Sequence, residues 1–138
     1  MIKDIETPKV EDIALAAVLE INPESGLDEW NIYLINLKEV EIVNVLVASR
    51  GYGVVKKEKV ETSQLRHHVE AIPPQSYAKI EPIMDDLFPL NNQYWVSFYI
   101  DREIFDKKYV FLAESIQIEN TTEIPLIGQK GVLLKWYS

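Results

Sequence analysis

Along most of the chain, apolar and polar positions alternate with a period of two. Trp30–Leu37 places Trp30, Ile32 and Leu34 on one side and Asn31, Tyr33 and Ile35 on the other, a strand with two largely buried faces. Val40–Ser49 carries the strongest signal, with Val43, Val45 and Val47 sharing one face and Ile42, Asn44, Leu46 and Ala48 the other. A helix there would crowd its β-branched χ1 rotamers for little return. Tyr94–Ile100 sets Tyr94, Val96, Phe98 and Ile100 against Trp95, Ser97 and Tyr99. Ser76–Ile83 points Ser76, Ala78 and Ile80 inward and Tyr77, Lys79 and Glu81 outward, and Pro82 puts its end at an edge or a bulge. Lys107–Glu114 and Val132–Tyr137 complete the regular strands.

Other segments carry mixed signals. Val10, Ile13, Ala14, Ala17, Val18 and Ile21 fit a helical face, whereas Ala17–Asn22 reads as a first strand, the reading preferred here because the next segment needs a partner. Asn22–Gly26 is a turn, Gly51 and Gly53 end the long valine strand, and Lys56–Glu61 is a short solvated edge strand. Ser63–Ile72 is either a helical turn or a crossing segment, closed by Pro73-Pro74. Ile83–Leu90 holds a short helical turn, and Ile116–Ile118 is a weaker strand.

Seven to nine short strands without regular helices between them predict an all-β, immunoglobulin-like two-sheet β-sandwich, a single domain over residues 1–138. A small β-barrel is the alternative. Composition agrees: valine and isoleucine make up 29 of 138 residues. The net charge of −8 opposes nucleic-acid and anionic-membrane partners. The only locally basic stretch, residues 56–79, reaches just +2. The absence of cysteine excludes disulfides, thiolate metal sites and cysteine nucleophiles. Met1–Val10 shows no basic-then-apolar export signal, so the expected location is cytoplasmic by default, with export from a trimmed precursor as the other reading.

Candidate chemistry is sparse. His67 and His68 are adjacent, so on a strand they point to opposite faces, unlike the spaced pair of a zinc-binding helix. Arg50, Tyr52, Arg66, His67 and His68 converge only if the glycine turn and the 63–72 segment share one end of the fold; a small anion or an acid–base site would then be recognised there. Asp85, Asp86, Asp101, Glu103 and Asp106 read as turn or strand-end residues rather than a catalytic carboxylate pair, and no calcium loop is present. No serine lies in a nucleophile-elbow motif. The pattern points to no metal and no cofactor.

The aromatic residues say more. Trp95 and Tyr99 lie on the face opposite Phe98, available as a packing layer or a protein surface, and Trp136 and Tyr137 repeat that duality near the chain end. At Ser49–Gly53, Leu65–His68 and Asn91–Asp101 (NNQYWVSFYID) the chain resembles a small, uncharacterised group of bacterial all-β proteins of similar length, some bearing a phenylalanyl-tRNA synthetase alpha-subunit label. The resemblance implies no established reaction or ligand. A synthetase alpha subunit needs a larger catalytic sheet and ATP-binding arginines, for which 138 residues have no room. The expected function is a non-catalytic protein-interaction or structural module, self-association included, using Trp95, Tyr99, Trp136 and Tyr137. The alternative is a small anionic-ligand-binding protein or enzyme using the Arg50/Tyr52/Arg66/His67/His68 region.

Overall fold

A computed structural model describes residues 8–137, so most of the opening segment read for an export signal lies outside the described residues. The strands are β1 (Ile13–Ile21), β2 (Asp28–Asn36), β3 (Ile42–Val55), β4 (Glu58–Glu61), β5 (Leu65–Ile72), β6 (Ser76–Ile83), β7 (Asn91–Ile100), β8 (Glu103–Phe111), β9 (Thr122–Glu123) and β10 (Lys130–Leu134). One antiparallel sheet runs β6-β2-β1-β10-β9; the other runs β4-β3-β7-β8, with β5 pairing β3 beyond β4. The pairings of β2 with β6, β3 with β7 and β7 with β8 follow the Greek-key order of immunoglobulin-type sandwiches. The sheets do not close into a barrel, and ten strands rather than seven to nine are present among the described residues. No helix among those residues is long and apolar enough to cross a membrane.

Both sheets feed one interior. Ile13, Leu15, Ile32 and Leu34 from the first meet Val45, Val47, Tyr94, Val96, Phe98 and Phe111 from the second. Tyr109 ties the layers together by donating its hydroxyl to the Ile13 carbonyl at 2.6 Å. A second cluster covers the outer side of the first sheet, where Ala14, Ala16, Val18, Tyr33 and Ile35 pack beneath Ile124, Ile127 and Trp136 of the C-terminal segment. This explains why the opening is a strand and not a helix. With both faces of β1 buried from Ile13 to Val18, those residues are apolar throughout, and alternation disappears from that part of the sequence. At Gly131 an added Cβ would stand 2.6 Å from the Ala17 carbonyl oxygen, so only glycine lets β10 lie this close to β1.

Several sequence expectations are corrected. β3 does not stop at the glycines but continues through Gly51 and Gly53 to Val55, turning at Lys56-Lys57, both with positive φ, into β4. A two-residue hairpin needs that geometry. Ser63–Ile72 is largely strand β5, and β8 begins at Glu103, four residues before the expected start. Val43 does not share a face with Val45 and Val47. Asn44 has φ +49° and the β3–β7 register slips there, so Ile42 and Val45 face the core and Val43 is only half-buried.

Burial raises the ionisation of Tyr94 and Tyr109 far above the ordinary phenol value; Tyr33 is raised by burial and by its bond to Glu20. All three phenols fold as neutral donors, so the stability they contribute is complete below about pH 10 and is lost as pH rises beyond it. Thermal melts should show the Tm falling between about pH 10 and 11.5 together with tyrosinate absorbance. A Tm unchanged across that range would contradict the burial of these groups.

Candidate functional site

The core-facing row of β3 runs Val45, Val47, Ser49, Gly51, so large apolar side chains give way to small ones toward its far end. Over that end the edge of the sheet is broken, because β4 stops at Glu61 and β5 starts at Leu65. Thr62 spans the gap, its hydroxyl accepting the Gly51 N–H at 2.8 Å. Small side chains below and an open edge above leave a cavity of about 230 Å³, lined by Ser49, Arg50, Gly51, Thr62, Ser63, Leu65, Glu81, Leu87, Asn92 and Tyr94.

Glu81 reaches this cavity through an irregularity in β6. Tyr33 pairs with Lys79, but Ile32 pairs with Glu81, so Ile80 is an extra residue on the β6 side. The bulge turns Glu81 inward beside Ile80, where alternation alone predicts it outward. Its carboxylate is only 10% exposed. Oε1 accepts the Ser49 hydroxyl at 2.8 Å and lies 2.7 Å from His67 Nε2, while Oε2 receives the Tyr94 hydroxyl at 3.4 Å. Burial first, and then the Glu81 charge, push the Tyr94 phenol upward, which keeps it a donor. Three strands of one sheet thus converge on a carboxylate from the other. Ser49 and His67 both bond Glu81 and not each other, so the arrangement is not an activated serine.

The five residues grouped from the sequence do not converge. His67 faces inward to Glu81; His68 pairs with Leu46 and Arg66 with Ala48, on the outer face. Arg50 stacks over the Tyr52 ring at 5.0 Å and approaches Glu61 at 3.6 Å. Strand alternation separates the two histidines, as their adjacency required. Among the described residues, no group of three His, Asp or Glu side chains is placed to hold a metal ion. Glu81 and Tyr94 carry no site signature in the sequence; the one local signal is Pro82, whose missing N–H marks a strand edge or bulge one residue away.

A second feature is the outer face of the β4-β3-β7-β8 sheet. Trp95 (44% exposed), Tyr99 (37%), Leu46 (39%) and Ile104 (49%) are spread across β3, β7 and β8. Ala48, Trp95 and Lys108 form one cross-strand row, Leu46, Ser97 and Asp106 the next, and Val43, Tyr99 and Ile104 a third. Trp136 and Tyr137 are elsewhere, beyond the end of β10. Trp136 packs against both core clusters and Tyr137 is exposed beside it, with ring centroids 5.4 Å apart. β10 lies between β1 and β9, and the two-residue β9 pairs only its Lys130 and Gly131. No protein-family model matches the chain, and no curated protein matches it.

Proposed function

We propose that the chain is a non-catalytic interaction module that pairs with a second copy of itself through the outer face of the β4-β3-β7-β8 sheet. The observation that supports it is an asymmetry. The C-terminal segment covers the outer side of the first sheet, whereas the second sheet leaves Trp95, Tyr99, Leu46 and Ile104 open. Exposed aromatics at the centre of a patch are the usual anchors of protein contacts.

Charge favours a like partner. The chain as a whole is at −8, which repels a second copy, yet this face mixes Arg66 and Lys108 with Asp106 and holds the Arg50–Glu61 pair. A two-fold pairing can set Lys108 of each copy against Asp106 of the other, the self-complementarity that an isologous dimer needs. Sedimentation equilibrium from micromolar to near-millimolar protein should give a mass rising from 16.0 kDa toward twice that value. Trp95→Glu should weaken association by about thirtyfold or more, equivalent to a hot-spot loss of about 2 kcal/mol. Leu27→Glu, in an exposed turn, should leave it unchanged. A wild-type chain that stays at 16.0 kDa throughout removes the proposal.

A further inference from the structure

We infer that the cavity beneath the β4–β5 break is a receptor for a small primary alkylammonium, held by Glu81. The site is independent of the proposed pairing face: Glu81, Ser49 and Tyr94 point between the sheets, and Trp95 points away from them.

The argument starts from acceptor capacity. A carboxylate offers about four lone-pair positions. Oε1 of Glu81 is engaged by Ser49 at 2.8 Å and His67 at 2.7 Å, but Oε2 has only the long 3.4 Å contact from Tyr94. Glu81 and Tyr94 both line the cavity, so the carboxylate with unused capacity borders unfilled space. The bulge at Ile80 turns the carboxylate inward, while the small side chains at Ser49 and Gly51 leave room beside it. A group that donates hydrogen bonds and carries positive charge completes Oε2.

The walls fix the rest of the ligand. Leu65, Leu87 and Tyr94 offer apolar surface to a short alkyl tail, and Ser49 and Thr62 bring hydroxyls to the lining. Arg50 does not fill the cationic role, since its guanidinium stacks on Tyr52 and approaches Glu61. An anion is disfavoured by the Glu81 charge itself, which turns the small-anion reading around. The volume of about 230 Å³ lies below the ~300–1,000 Å³ of drug-sized pockets, so the ligand has few heavy atoms.

Butylammonium, butanol and butyrate, titrated at pH 8 and constant ionic strength into 15N-labelled full-length protein, separate the possibilities by NMR. The expected result is saturable shifts of the Gly51, Glu81 and Tyr94 amides with butylammonium, binding at least about tenfold weaker with butanol, and none with butyrate. Glu81→Gln keeps the shape and removes the charge, and should weaken butylammonium by at least about tenfold. Should that variant fail to fold, the preference of the wild-type chain for ammonium over alcohol reads the same interaction. Equal binding of butanol and butylammonium, shifts confined to other surfaces, or no saturation would overturn the assignment.

Discussion

Replacing Phe98 with alanine is expected to lower the unfolding free energy by about 3–5 kcal/mol, the usual loss for a large aromatic removed from a core. Phe98 is fully buried, and its ring stacks on Phe105 with centroids 5.3 Å apart and planes 7° from parallel. The core it belongs to draws Ile, Leu and Val side chains from β1, β2 and β3, in both sheets. Urea denaturation followed by circular dichroism checks the value, with the slope m held as a control for two-state behaviour. A loss under about 1 kcal/mol would mean that the two layers do not close on this residue.

Asn36→Asp should cost at least about 3 kcal/mol, more than Asn36→Ala, despite the near-identical shape of asparagine and aspartate. Asn36 is fully buried at the end of β2. Its Nδ2 donates toward the carbonyls of Val40, Ile72 and Pro73 at 2.9, 3.1 and 3.0 Å, and its Oδ1 accepts the Lys38 N–H at 3.0 Å. One side chain thus fastens the β2–β3 connection to the β5–β6 turn, where the chain crosses between sheets. An ionised carboxylate would set an acceptor and a charge against three carbonyl oxygens, with no donor to offer. Thermal melts of both variants give the ranking. An aspartate variant as stable as wild type would contradict the clamp.

The features legible in the sequence are those governed by nearest-neighbour alternation. Trp30, Ile32 and Leu34 share the core face as the spacing of β2 predicts, and Tyr94, Val96 and Phe98 do so in β7. The all-β sandwich follows from such strands. What could not be read depends on single residues that change the phase. Asn44, at φ +49°, separates Val43 from Val45, and the extra residue at Ile80 rotates Glu81 from solvent into the interior. A slip of one residue exchanges the two faces of a strand, so each bulge moves a side chain from one face to the other without altering composition. The helical signature in the opening failed for another reason: the C-terminal segment, more than 100 residues away in sequence, buries the outer side of β1 and removes its polar positions. Strand order likewise rests on long-range pairing, such as β1 with β10, which no local pattern encodes.

The proposed pairing of two copies through Trp95 is tested most directly by isotope-filtered NMR on a mixture of labelled and unlabelled chains. Intermolecular NOEs are expected from the Trp95 indole and Tyr99 ring to the methyl groups of Leu46 and Ile104 in the other copy. Intermolecular contacts arising instead from the β6 or β9 edges, or none in a sample near millimolar concentration, would contradict it.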